Sequence, residues 1–284
     1  MNASVGFSFL APAKLNISLK VLGKRPDGYH YIKSVMVPVS LHDEVVVEEA
    51  DAGIRVETDA PGVPIDETNT CHRAAALFME WAGTPKGVRV LIKKRIPAEA
   101  GLGGGSSDAA AAFKGLAALT GRAPDRETLL GMAARVGADV PFFTIGSPAL
   151  AEGIGERLTP VEWRVPFHAL IVKPTFGLST SEGYAALRRG TGGPPPAAEA
   201  VPAFRTWDDL VPAVANDFEG AWEGSRPEIG AIKGELMAAG ARAAGLSGSG
   251  SAVFGLFETA EAARNARGML SREGGRSMFT ARNI

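Results

Sequence analysis

Apolar residues along the first ninety positions alternate with polar ones or gather in short blocks. Segments 17–22, 35–39, 45–49 and 54–57 read as strands separated by glycine, proline and aspartate. The spacing then changes: Leu77, Phe78 and Trp81 among alanines predict a helix over 69–81. A strand at 88–92 leads into a glycine-rich run, and an alanine-rich helix follows from about 106. A second helix is predicted over 125–136. Beyond 160, a strand at 169–172 and a helix at 182–188 precede a Gly/Pro stretch at 190–202 that reads as a surface loop. Helices at 216–223 and 227–239 come next, then strands at 252–257 and 278–281 around a helix at 260–270. Strands and helices mix without a strict βαβ rhythm and without an internal repeat, which predicts an α+β protein. The domain boundary is expected within 150–165, giving domains 1–158 and 159–284.

The glycine-rich run carries the strongest chemical signal. Gly101, Gly103, Gly104 and Gly105 allow a tight turn and close approach of backbone N–H groups to a ligand. Ser106 and Ser107 stand where the helix should begin, and a helix start preceded by glycines favours an anion. A flexible turn capped by serine is the alternative, but a plain connector needs one glycine, not four in five positions. The common nucleotide fingerprints fail here. No Gly-Lys pair is followed by Ser or Thr, and Gly101-Leu-Gly103 places Ser106 at the third glycine of G-x-G-x-x-G.

Three further segments could carry chemistry. Lys14 and Asn16 lie two apart on a predicted strand and so share a face. Lys14 suits stabilisation of a transferring phosphoryl group, or is a solvent-facing strand lysine. Asp139, in Gly137-Ala-Asp139-Val-Pro141, suits acceptance of a hydroxyl proton, or caps a turn. The segment 246–254 is a Gly/Ser-rich turn before a strand, and it is not a nucleophile elbow, because Ser249 stands where G-x-S-x-G needs glycine.

Composition removes several classes. The 284 residues carry a formal net charge of −1, so no global field favours nucleic acid or a membrane surface. Hydrophobic residues make up 45%, enough for a real core. Cys71 is the sole cysteine, which excludes an intramolecular disulfide, and the four histidines show no H-x-x-x-H pair for zinc. Neither a signal peptide nor a run long enough to span a membrane is visible, so a cytoplasmic protein is expected. The triplet Lys93-Lys94-Arg95 reads as an exposed strand end, or as a cluster that helps attract anions just upstream of the glycine-rich loop.

Taken together and in order, these pieces resemble the GHMP small-molecule kinases. Pro97 followed by Gly101-Leu102 and the glycines and serines is similar to that superfamily's phosphate motif, and Ser247-Gly-Ser-Gly250 to its C-terminal motif. The match narrows to the branch acting on a cytidine diphosphate-linked methylerythritol through residues 12–16, 23–30, 101–108, 137–141 and 151–156. Asp27-Gly-Tyr-His30 is the most discriminating block, and the resemblance runs from about residue 11 to 257.

The resemblance implies the two-domain GHMP kinase fold: an N-terminal domain like the second domain of ribosomal protein S5 and a ferredoxin-like C-terminal α/β sandwich. It implies ATP-dependent phosphorylation of the substrate's 2-hydroxyl, in the non-mevalonate route to isoprenoid precursors. Lys14 and Asp139 inherit the catalytic roles. Pro97, Ala98, Glu99, Ala100, Gly101, Leu102, Gly103, Gly104, Gly105, Ser106 and Ser107 are expected around the ATP phosphates, with Mg²⁺ bridging them and Ser107 a direct or water-mediated contact. Tyr29 and Tyr184 are expected to sandwich the pyrimidine, His30 to read its polar edge, and Asn16 to contact the methylerythritol. Two departures stand out. Glu99 puts an acid in a phosphate loop and is expected to point to solvent, and Asn69-Thr-Cys71-His-Arg73 weakens an adenine-site assignment. The alternatives are another GHMP kinase, acting on homoserine, mevalonate or a sugar, and a catalytically silent binding protein. The partner expected is a small-molecule substrate alone, with the chain a monomer or weak homodimer.

Overall fold

The computed structural model describes residues 6–84, 87–187, 200–270 and 275–284, so most of the 190–202 loop lies outside the described residues. Two long strands open the chain, β1 (Gly6–Lys24) and β2 (His30–Ala50). Arg25 N–H donates to the Tyr29 carbonyl (2.7 Å) across the turn between them, where Gly28 takes φ 90°. The short strands expected at 35–39 and 45–49 are therefore one strand. The polar interval between them continues β2 because Asp43, fully buried, accepts the N–H groups of Arg95 and Ile96 and pairs with Lys94. The strand expected at 17–22 is likewise a part of β1, which extends back past Pro12.

The chain divides into two compact units, each fed by both long strands. The first comprises Met1–Ala13, His42–Ile96 and Gly103–Gly146. Here follow β3 (Ile54–Thr58), α1 (Thr70–Ala82), β4 (Gly87–Lys93), α2 (Gly104–Thr120), α3 (Arg126–Val136) and α4 (Val140–Ile145). The second half of β2 pairs antiparallel with β4, and β3 pairs parallel with β4. Val45, Val47, Val90 and Ile92 of the sheet and Phe78, Phe113 and Phe142 of the helices are all buried, and their burial is the main stabilising term of the unit. Asn69 caps α1, its side chain accepting from Cys71 N–H at 2.7 Å. Gly115 lets α2 press on the sheet: a Cβ there would lie 2.8 Å from Val47 Cβ.

The second unit comprises Lys14–Leu41, Pro97–Leu102 and Ser147–Ile284. It holds β5 (Ala149–Gly153), β6 (Arg157–Pro160), β7 (Glu162–Trp163), β8 (His168–Lys173), α5 (Thr180–Ala186), β9 (Ala203–Phe204) and α6 (Trp207–Leu210). These are followed by β10 (Ala215–Asn216), α7 (Asp217–Trp222), α8 (Pro227–Ala238), β11 (Ala243–Leu246), β12 (Val253–Phe257), α9 (Ala260–Met269) and β13 (Ser277–Arg282). The first half of β2 pairs with β5, and β10 adds parallel to β1, with Leu19 opposite Asn216. A separate antiparallel sheet runs β11-β12-β8-β13. Ile229, Ile232 and Leu236 of α8 and Ala263 and Ala266 of α9 bury against Leu170, Val172 and Phe257 of that sheet. Mixed helices and mainly antiparallel pairing agree with the α+β expectation.

Candidate active site

The first half of the glycine-rich loop belongs to the second unit, and its backbone alternates in hand. Glu99, Gly101 and Gly103 have φ of 51°, 72° and 73°, and Glu99 is the one non-glycine with positive φ among the described residues. Alternation of this kind turns successive amides toward one concavity. The turn after β11 fixes the loop from behind. Ser251 N–H donates to the Glu99 carbonyl (3.3 Å), Ala252 N–H to Ala100 (3.1 Å), and Ser247 Oγ to Gly101 (2.9 Å). The two segments pack backbone on backbone: a Cβ on Gly101 would overlie the Ser247 carbonyl, and one on Gly248 would lie 3.1 Å from Gly101 Cα. Glu99 itself is exposed, its carboxylate laid over Gly177.

Lys14 and Asn16 share a face of β1, as the period of a strand requires. Lys14 is only 4% exposed, which overturns the reading of a solvent-facing lysine. Its Nζ donates to Asn16 Oδ1, while Asn16 Nδ2 donates to Ser34 Oγ (2.7 Å). Asn16 N–H reaches Ser247 Oγ at 3.3 Å, and Lys14 N–H donates to the Leu102 carbonyl at 3.0 Å. The lysine strand and the loop are thus hydrogen-bonded directly and through one serine hydroxyl.

The second half of the loop and Asp139 belong to the first unit. Gly103 precedes α2, and Gly104, Gly105, Ser106 and Ser107 form its first turn; the N–H groups of Gly104, Gly105 and Ser106 lack helical partners, while Ser107 N–H donates to the Gly103 carbonyl (2.9 Å). Ser107 Oγ and Asp108 Oδ1 are buried and, among the described residues, have no hydrogen-bond partner. Beneath this turn lies a charge cluster: Lys94 Nζ meets Asp43 Oδ2 at 2.5 Å and Asp108 Oδ2 at 2.6 Å. A Cβ on Gly104 would sit 3.3 Å from that ammonium. The expectation of an exposed triplet holds for Lys93 and Arg95 and fails for Lys94, which the two carboxylates draw inward. Burial pushes the Asp108 carboxyl up to about 7, with Lys94 pulling against it and Asp43 adding to the rise. Burial also lowers Lys94, but the two carboxylates outweigh it and its pKa is raised. Asp139 stands at the residue before α4, and its side chain makes no N-cap hydrogen bond to that helix.

A cavity of about 530 Å³ opens in the second unit between the β1–β2 turn and α5, lined by Lys24, Tyr29, His30, Ile154, Thr180 and Tyr184. Tyr29 is 60% exposed at its mouth. His30 stacks on Tyr184, ring centroids 4.4 Å apart and planes within 9°, and Tyr184 in turn meets Phe218 edge-on at 5.1 Å. In this state one face of Tyr184 is covered by the imidazole. Burial, with Lys24 nearby, lowers the pKa of His30, which favours the neutral ring. Thr180 Oγ1 lies 3.0 Å from Ser249 Oγ, tying this cavity to the turn that holds the loop.

Sequence reasoning missed Asp43, Asp108 and Asn216. Asp108 directly follows the loop serines, and a buried acid there called for a buried cation. Asn216 gives no comparable signal, because its partners lie thirty residues downstream.

Comparison with known proteins gives the family. Residues 69–147 match the model of the GHMP kinases N terminal domain, and residues 201–276 that of the GHMP kinases C terminal domain. The chain is 42% identical over 277 residues to a 4-diphosphocytidyl-2-C-methyl-D-erythritol kinase from Geobacter sp. (strain M21), covering 97% of this chain and 98% of the relative. It is 42% identical over 258 residues to the enzyme of the same name from Thermus thermophilus, covering 90% of each. The crystal structure of a 4-(cytidine 5'-diphospho)-2C-methyl-D-erythritol kinase superposes with a TM-score of 0.80 at 38% identity, over 97% of this chain and 99% of that one. A homoserine kinase from Cytophaga hutchinsonii ATCC 33406 shares the fold alone: TM-score 0.72, 20% identity, over 99% of this chain and 95% of that one. The chain belongs to the GHMP kinases, within their branch of 4-diphosphocytidyl-2-C-methyl-D-erythritol kinases.

Proposed function

We propose that this chain transfers the γ-phosphoryl group of ATP to the 2-hydroxyl of the cytidine diphosphate-linked methylerythritol. The observation that carries this reading is the pairing, within one unit, of an aromatic cavity beside His30 with a loop whose carbonyls are tied away. Tied carbonyls leave amides for phosphate oxygens, and residues 97–107 hold the ATP phosphates. Mg²⁺ fits this loop. It takes oxygen donors and few protein ligands, and the buried, unpartnered Ser107 Oγ is such a donor beside the phosphates. When bound, the ion neutralises phosphate charge.

Asp139 accepts the proton of the attacking hydroxyl, and Lys14 offsets the charge developing on the transferred group. Asn16 orients Lys14 and meets the methylerythritol end. Tyr29 and Tyr184 hold the pyrimidine, and His30, neutral and swung off Tyr184, reads its polar edge. The reaction is placed in the cytoplasm and the enzyme as a monomer or weak homodimer, which sedimentation of the purified protein tests.

ATP consumption is to be measured with the cytidylated methylerythritol and with homoserine, mevalonate and galactose. Turnover confined to the cytidylated alcohol is expected, and preference for any other acceptor overturns the assignment. Asp139→Asn should keep nucleotide affinity while turnover falls by about two to four orders of magnitude. Near-normal turnover removes Asp139 from the proton transfer.

A further inference from the structure

We propose that Asn216 is a positioning residue for ATP: it sets the turn that holds the phosphate loop, and this rests on reading residues 97–107 as that loop. Asn216 is buried at the end of β10, in register with Leu19 of β1, immediately before α7. Both ends of its amide are engaged. Oδ1 accepts from Phe218 N–H at 3.0 Å, while Nδ2 donates to the carbonyls of Leu246 (2.7 Å) and Gly248 (2.8 Å). Those carbonyls flank Ser247, so one NH₂ group brackets the residue whose hydroxyl meets the Gly101 carbonyl and the Asn16 N–H.

Neighbouring residues brace this fork. Asp217 Oδ2 accepts from Val21 N–H at 2.9 Å, fixing the fork to β1. Trp222 Nε1 donates to the Ser249 carbonyl at 2.9 Å, fixing the far side of the turn. Asn216 thus acts through Ser247 rather than on nucleotide: its own hydrogen bonds end on backbone atoms. The position demands one acceptor and two donors on a short planar group, which asparagine supplies and aspartate does not. Aspartate keeps the shape and the cap on Phe218 but turns an oxygen toward two carbonyl oxygens.

The test uses the full-length protein and two probes, a non-hydrolysable ATP analogue with Mg²⁺ and cytidine diphosphate, with binding followed by calorimetry. For Asn216→Asp the dissociation constant of the analogue and the KM for ATP should each rise about ten-fold or more, the cytidine diphosphate constant staying within two-fold. A folded variant with unchanged analogue affinity overturns the proposal, and so does parallel loss of both ligands. Should the variant not fold, Ser247→Ala carries the test. It removes the links to the Gly101 carbonyl and the Asn16 N–H while leaving Asn216 in place, and the same selective loss is expected, whereas unchanged analogue affinity overturns the proposal. Failure of the unmodified chain to bind the analogue would instead overturn the phosphate-loop reading, which separates the two.

Discussion

Replacing Gly101 by alanine probes the loop at its most constrained point. The residue sits at φ 72°, where an L side chain costs about 1–2 kcal/mol. The added Cβ would lie 2.8 Å from the Ser247 carbonyl carbon and closer still to its oxygen, and 3.1 Å from the Gly250 carbonyl oxygen. Those atoms are backbone within a turn already held by Asn216 and Trp222, so the loop must move instead. Overpacking of this kind costs about 1–3 kcal/mol. The sum, about 2–5 kcal/mol, corresponds to a loss of about thirty-fold to a few thousand-fold in nucleotide affinity if it falls on the bound loop. Gly121→Ala is the internal control: φ there is 66°, but a Cβ would meet nothing within 4 Å. It should show the conformational cost alone, about 1–2 kcal/mol, with ATP affinity unchanged. Calorimetric titration of an ATP analogue and urea unfolding of both variants supply the comparison. Wild-type affinity in Gly101→Ala, or a loss of stability no larger than that of Gly121→Ala with affinity intact, refutes the backbone-on-backbone argument.

Lys94→Met strands the Asp43 and Asp108 carboxylates in the core and should cost about 3–5 kcal/mol, read as a lowered urea midpoint. A loss under about 1 kcal/mol would mean the cluster is hydrated. Asp108 should also make stability fall with pH. Its folded pKa of about 7 lies above the usual carboxylate range, so the folded state holds the extra proton and stability declines between about pH 4 and 7. Lys94 is raised, and its contribution is lost only above the ordinary lysine range, outside that window. Asp108→Asn should flatten the slope between about pH 5 and 7, and an unchanged slope assigns it elsewhere. Tyr29→Ala should raise the KM for the cytidylated substrate about ten-fold with kcat and the KM for ATP nearly unchanged. An unaltered KM removes Tyr29 from the pyrimidine site.

Periodicity made most helices legible. Those expected at 69–81, 125–136, 227–239 and 260–270 differ from α1, α3, α8 and α9 by a residue or so at each end. The β2 strand was harder, because Asp43 breaks its apolar pattern. The compensating lysine is fifty-one residues away, and no local window sees both. For the same reason Lys94 read as a surface residue. The short strands β6, β7 and β9 have too few residues to show a period, and their partners alone define them. At the candidate site, the loop glycines, Lys14 and the Tyr29-His30 pair stand out by residue type. The ties behind the loop do not, since Ser247 and Ser251 act on carbonyls that every residue possesses.

Those ties also bear on when the molecule becomes competent. The acceptors of residues 99–101 are silenced by groups from 247–252, so the loop's amide-rich face exists only once that later segment is in place. A chain emerging from the ribosome, having made Lys14, the glycines and Asp139, still presents carbonyls and amides together and offers an anion no preference. If residues 97–107 are the phosphate loop, nucleotide affinity should arrive late in synthesis, after nearly nine-tenths of the chain has been made. A truncated product ending before Ser247 should carry Lys14, the loop glycines and Asp139 and yet have no hold on ATP.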